Sequence, residues 1–307
     1  MTDTIVDEAA QRRPGKAALA ASLRRSRQRT LALFAAYEVA LGPQLSVPVL
    51  PELNPPLWEL GHIGWFADWW IARNPQRERG TQANPDVPRK PSRQSARGID
   101  AEALYHSSRV AHDSRWQLPL PGVQATLADL RASLSDTLAW LEQAPETDAG
   151  LYFFRLALAH EDMHAEAAVY MAQTLGFHPH DAHTMAQLDA PGPQQPARIT
   201  VPAGTVTLGH EGAGFAFDNE LGPQHTTVEA FTIDAHPLSW ARFLPFVDSG
   251  GYTQRRFWTD AGWAWRENGS RRWPRYLRPG PGGWQQQRWG RWQPLESRAP
   301  VRPPTRA

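Results

Sequence analysis

Residues 151–176 read LYFFRLALAHEDMHAEAAVYMAQTLG, a largely apolar stretch carrying two histidines four positions apart, His160 and His164, with acids around them, and closed by a glycine. The apolar spacing predicts a helix, with Gly176 as its stop signal. Residues i and i+4 share one helical face, roughly 6 Å apart at Cβ, close enough for two imidazoles to meet one ion. The same spacing also describes the polar face of an ordinary helix, and both readings stand at this point.

The segments around it set the fold class. AALAASLRRSRQRTLALFAAYEVAL (17–41) carries apolar residues at helical spacing with an arginine-rich outer face. Pro48, Pro51, Pro55 and Pro56 break that pattern before LWELGHIGWFADWWIARN (57–74) resumes it with aromatic residues and His62. VQATLADLRASLSDTLAWLEQA (123–144) places leucine every three or four residues. Four long helices predict a bundle, whose facing helices commonly hold a metal site in the core. Between them, PQRERGTQANPDVPRKPSRQSARG (75–98) is polar and punctuated by proline, which predicts an exposed loop.

The pattern changes after HPHDAHTMAQLDAPGPQQPAR (178–198), rich in Pro, Gly and Gln and read as a linker between a first domain over 1–185 and a second over 198–307. Beyond it, ITVPAGTVTLG (199–209) and HTTVEAFTID (225–234) alternate apolar and polar residues as strands do. Half of the 14 tryptophans fall between Trp258 and Trp292. The fold class is therefore α+β.

Composition narrows the chemistry. The 307 residues carry a formal charge of +1 with acids and bases interspersed, so neither a nucleic acid nor a membrane surface is an expected partner. No apolar run reaches the roughly 18 residues of a membrane span, and the first twenty residues lack the apolar centre of a signal peptide, which predicts a cytoplasmic protein. With no cysteine, histidine and carboxylate are the strong ligands left for a metal. A third ligand beside His160 and His164 is most naturally His62, because an apolar, aromatic helix is a poor place for an unpaired polar ring. Three imidazoles suit Zn, Fe, Cu or Ni and leave positions open for a substrate. Glu161, Asp162 and Glu166 read either as solvated charges or as partners that hold the imidazoles. HEDMH also matches H-E-x-x-H, in which Glu161 would be a general base, but the bundle is the wrong setting for it. His178, His180 and His183 read as a solvated cluster in the linker.

ELNPPLWELGHIGWFADWWIARN and LALAHEDMHAEAAVYMAQTLG together resemble the DinB-like four-helix domain of the ergothioneine-biosynthesis sulfoxide synthases and of the similar selenoneine synthases. VPAGTVTLG, FAFDNELGPQHTTVEAFTIDAHPLSWARFLPFVDSGGY and FWTDAGWAWR resemble the opening half of a formylglycine-generating-enzyme-like domain, also called a sulfatase-modifying-factor domain, of C-type-lectin-like fold. The resemblance covers about residues 17–295. It implies a non-haem Fe(2+) enzyme whose iron is held by residues matching His62, His160 and His164. It further implies that O2 joins the imidazole C2 of hercynine to the sulfur of cysteine or γ-glutamylcysteine, or to the selenium of a selenosugar. Many members carry glutamine where this chain has Met163, and an arginine that binds the thiol substrate's carboxylate corresponds to Arg109 or Arg115. Family members continue for roughly another hundred residues. ESRAPVRPPTRA, biased to Arg, Pro and Ala, matches GC-rich DNA read out of frame, so a truncated gene whose product holds metal without turnover is one alternative. A divalent-metal, thiol-dependent transferase of the DinB type is the other.

Overall fold

The structure, a computed structural model, describes residues 12–180, 197–210 and 214–301. His183, most of the expected linker and the expected domain boundary lie outside the described residues. The described chain divides into two compact units. One holds residues through Met171 together with Thr207–His225, and the other holds Ala172–His178 and residues 197–206 and 226–301.

In the first unit, α1 (Lys16–Leu41), α2 (Pro56–Ala67), the short α3 (Ala101–Tyr105), α4 (Val123–Gln143) and α5 (Asp148–Leu175) account for the helical periodicity of the sequence. Pro56 begins α2, where its missing N–H has no intrahelical partner to lose. The helix then widens into a π-helical turn over Asp68–Ala72. Gly176, at φ +84°, ends α5 in the left-handed conformation that glycine adopts without strain. Leu19 and Leu23 of α1, Ile71, Leu141 of α4 and Leu151, Phe153, Phe154 and Ala157 of α5 form one core cluster. Trp58 and Trp65 of α2 pack with Leu104 and Tyr105 of α3 in a second.

Two expectations for this unit are corrected. The arginines of α1 do not all face solvent: Arg27 is 4 % exposed. The buried stripe of α1 runs Leu19, Leu23, Ser26, Arg27, Thr30, Leu33 and Tyr37, so its middle is polar and needs polar partners. Those come from α5. Arg27 donates from Nε to Glu161 Oε1 at 2.7 Å and from Nη2 to Glu161 Oε2 at 3.1 Å, Thr30 Oγ1 donates to Glu161 at 2.9 Å, and Ser26 Oγ donates to Asp162 at 2.6 Å. The segment 75–98 is likewise not a plain exposed loop. It contains 3₁₀ turns at Arg77–Gln82 and Arg93–Arg97, and Gly80, Ser92 and Gln94 are buried. Arg93 anchors it by donating through both Nε and Nη2, at 2.8 Å each, to the buried carboxylate of Asp68. The segment 207–225 joins the same unit through Tyr152, whose hydroxyl donates to the carbonyl of Ala216 at 3.1 Å.

The second unit is built from short pieces. The stretch 199–209 forms β1 (Arg198–Val201) and β2 (Gly204–Leu208), and 225–234 forms β3 (Gln224–Val228) and β4 (Phe231–Asp234). Each expected strand is thus two strands, and Pro202, which has no N–H for a ladder, marks the first break. β1 runs antiparallel to β4, with Ile199 opposite Ile233 and Val201 opposite Phe231. After α6 (Trp240–Asp248) and α7 (Asp260–Asn268), β5 (Leu277–Gly280), β6 (Gly283–Arg288) and β7 (Arg291–Pro294) make an antiparallel meander. The whole is α+β, and among the described residues no helix is long and apolar enough to cross a membrane.

Candidate metal centre

α2 carries His62 on its buried face, 4 % exposed. Its ring stacks on Trp58 at 4.7 Å with planes 10° apart, and its Nδ1 donates to the carbonyl of Tyr105 at 2.8 Å. With one nitrogen spoken for, the other must face away from α3, toward α5. There His160 and His164 project from successive turns. Nε2 of His160 lies 3.2 Å from Nε2 of His62 and 3.2 Å from Nε2 of His164. All three ligand nitrogens fall within 4.8 Å of one another. Nitrogens 3.2 Å apart match two imidazole ligands each about 2.1 Å from one ion and about 100° apart around it.

The outward-facing nitrogens are held as well. His164 Nδ1 donates to Glu59 Oε2 at 2.5 Å, and Asn54 Nδ2 donates to the other carboxylate oxygen at 2.6 Å. Arg115 in turn donates from Nη1 to Asn54 Oδ1 at 2.8 Å, and its guanidinium lies 3.8 Å over the Trp58 ring. His160 stacks face to face on Phe66 at 3.5 Å.

Burial, and then the charge of His164, pushes the His62 imidazolium down to about 4. The same two causes, with His62 added, hold His160 well below its ordinary value. Burial also acts against the charged form of His164, but the Glu59 carboxylate outweighs it and raises that imidazole. Burial raises the Glu59 carboxyl, and the charge and hydrogen bond of His164, with His62 and Asn54 behind them, bring it below the usual range. His62 and His160 are therefore neutral lone-pair donors at ordinary pH, while the proton of His164 is directed at Glu59. Three lone pairs aimed at one point, with no donor among them once Nδ1 carries the proton, suit a divalent cation.

The structure brings His62, His160 and His164 together and leaves the neighbouring acids out. Glu161 turns toward α1 and is occupied by Arg27 and Thr30, so it is neither a partner of the imidazoles nor available as the general base of an H-E-x-x-H site. Asp162 and Glu166 are exposed. Met163 is 55 % exposed between the two histidines. Of the two arginines expected near a substrate, Arg115 lies beside the triad and Arg109 is exposed. His178 lies 5.2 Å from Trp289 in the second unit. Glu59 escaped the sequence reading. Its signal was present: it is the sole carboxylate in the apolar stretch PLWELGHIGWFA, three residues before His62 and so on the same face.

Residues 185–297 match the model of the sulfatase-modifying factor enzyme 1-like domain. Among curated proteins, the chain is 30 % identical over 267 residues to a hercynine oxygenase of Mycolicibacterium smegmatis, across 85 % of this chain and 57 % of the relative. It is 31 % identical over 265 residues to a hercynine oxygenase of Mycolicibacterium thermoresistibile, across 82 % and 53 %. It is 29 % identical over 267 residues to that of Mycobacterium tuberculosis, across 85 % and 58 %. The chain thus spans little more than half the length of the curated relatives it matches.

Proposed function

This chain is a relative of the hercynine oxygenases along 85 % of its own length, and from that kinship we propose that it is an Fe(II)- and O2-dependent enzyme of ergothioneine-type biosynthesis that joins hercynine to a thiol. The observation that carries the reading is the convergence of Nε2 of His62, His160 and His164, with 3.2 Å separations, in a site the resemblance assigns to iron. Three neutral imidazoles would hold the metal and leave adjacent positions open for the sulfur substrate and O2. When bound, iron would supply the redox chemistry with O2 that the side chains lining the site do not. The reaction balances with one O2: the imidazole C2–H and the thiol S–H are lost, the C–S bond forms, one oxygen atom ends on sulfur and the other leaves as water.

The protein's own residues set the conditions for that chemistry. Trp58, Trp65 and Phe66 wall the site with apolar rings and exclude water from His62 and His160. Arg115, cationic beside the triad, suits a carboxylate on the thiol substrate. Met163 offers a thioether where an amide would offer a donor and an acceptor, so contacts to the substrate imidazole differ here from those of relatives with glutamine. A selenosugar fits the same reading in place of the thiol.

The test is aerobic incubation of the iron-loaded chain with hercynine and, separately, cysteine, γ-glutamylcysteine and a selenosugar, followed by mass spectrometry. The expected result is a coupled product from one partner, with O2 consumed, and none from His160→Ala. Metal bound without O2 uptake, or thiol transfer without O2, would contradict the oxygenase reading and favour a metal-binding remnant or a transferase.

A further inference from the structure

Glu59 stands out among the described buried carboxylates of the first unit because its ion-pair partner is an imidazole rather than an arginine. Glu161 has Arg27 and Asp68 has Arg93, whereas Glu59, 7 % exposed, has the Nδ1 of His164 at 2.5 Å and the amide of Asn54 at 2.6 Å. A buried charge persists only where its neighbours repay its desolvation, so the carboxylate and the imidazole depend on each other. The chain of contacts does not stop there. Asn54 has only one orientation that serves both neighbours, its Nδ2 toward Glu59 and its Oδ1 accepting from Arg115. The Arg115 guanidinium lies over the Trp58 ring, and Trp58 stacks on His62. Trp58 is itself fixed by donating from Nε1 to the carbonyl of Leu104 at 2.8 Å. Starting from His164, the contacts return to His62, the imidazole that comes from the other helix.

We propose that Glu59 is a positioning residue for the three-histidine centre: its carboxylate fixes the ring of His164, and Asn54, Arg115 and Trp58 tie that ring to His62. The inference rests on the metal-site reading above. A carboxylate that orients a ligating imidazole and raises its basicity is worth about 10- to 100-fold in metal affinity. Sequence supports the pairing, since Glu59 and His62 are three apart on one helix, so whatever seats His62 seats Glu59 as well.

Cobalt(II) alone is a suitable probe, because its visible absorption reports ligand number and geometry without turnover. The wild-type full chain binds one equivalent. Glu59→Ala binds about 10- to 100-fold more weakly with an altered absorption envelope, and millimolar formate or acetate restores both. A cavity lined by Thr30, Leu33, Tyr37, Leu60, Ala168 and His164 opens beside Glu59, so a small carboxylate has a route to the vacated position. Lost packing alone is not repaired by formate. Glu59→Gln keeps the volume and decides the matter should the alanine variant not fold: its amide nitrogen opposes that of Asn54 in the orientation that accepts from His164, and affinity falls. Wild-type affinity and spectrum in either variant, or a loss that no carboxylate restores, overturns the role of Glu59. Wild-type chain that binds no cobalt instead overturns the metal-site reading beneath it.

Discussion

The two units of this chain use their apolar residues differently. In the helical unit, large side chains such as Trp58, Leu19, Phe154 and Ile71 are sealed, and even charged groups, Arg27, Glu161 and Asp68, are buried with partners. In the second unit, Trp240, Val247, Tyr252 and Leu277 are buried, while the paired strands β1 and β4 leave Ile199, Ile233 and Phe231 at 51 %, 54 % and 45 % exposure. A two-stranded ladder with a bare apolar face is marginal by itself. The lesson is that the helical unit seats its three histidines from within, with the groups that hold them drawn from α2, α3, α5 and the segments beside them. Among the described residues, the second unit leaves exposed the apolar face its own strand pattern creates.

The largest predicted effect breaks the helical side of this contrast. Arg27→Ala leaves Glu161 buried without its partner and destabilises the chain by about 3–5 kcal/mol, measured by urea denaturation. The double variant Arg27→Met, Glu161→Leu recovers most of that loss, since a buried ion pair replaced as a pair by apolar residues is close to neutral. A cost below about 1 kcal/mol for the single variant would mean that the polar centre of α1 does not organise the bundle.

A smaller effect sharpens the contrast through pH. Without metal, the folded-state pKa of His62 is depressed to about 4 and that of His160 lies well below its ordinary value. As pH falls below about 6.5 the unfolded chain takes up these protons and the folded chain does not, so the stability they contribute, full above that pH, is lost as pH falls toward their folded values. His164 is raised and works in the opposite direction: its contribution is full below about 6.5 and is lost as pH rises through its folded value. With two histidines against one, the chain is expected to be less stable at pH 4.5 than at pH 7, read from the helical circular dichroism signal during denaturation at the two pH values. Metal binding deepens the dependence, because protons compete for the same nitrogens. Stability that rises on acidification would contradict the electrostatics of the centre.

The smallest effect lies in the second unit. Ile199→Thr with Ile233→Thr changes stability by no more than about 0.5 kcal/mol, as expected of exposed positions, while light scattering shows less self-association because the bare apolar face is reduced. A loss above about 1 kcal/mol would mean that this face is covered after all.

Much of the helical unit was legible in the sequence, because helix periodicity and the i, i+4 relation act over one or two turns. Spacing put His160 and His164 on one helical face without deciding between a ligand pair and an ordinary polar face, and His62 stood out as a polar ring in an apolar stretch. What escaped depends on pairing across the fold. Arg27 looks like any other arginine of α1 until Glu161 is placed opposite it, 134 residues away in sequence. Glu59 looks like a stray charge until His164 arrives, 105 residues away. The segment 75–98 reads as a loop by composition because its anchors, Arg93 on Asp68 and the buried Gly80, are long-range contacts. In the second unit, alternation identified strand-forming stretches but not their division at Pro202, which a closer reading of proline in a ladder would have found.

The central claim is that Nε2 of His62, His160 and His164 together hold one iron. Its most direct test is anaerobic titration of the wild-type chain and His160→Ala with Fe(II), with bound metal counted by elemental analysis after desalting. One iron per wild-type chain, and loss of that iron in His160→Ala with the helical signal intact, is the predicted result. Iron retained at full stoichiometry by His160→Ala, or none bound by the wild type, would contradict it.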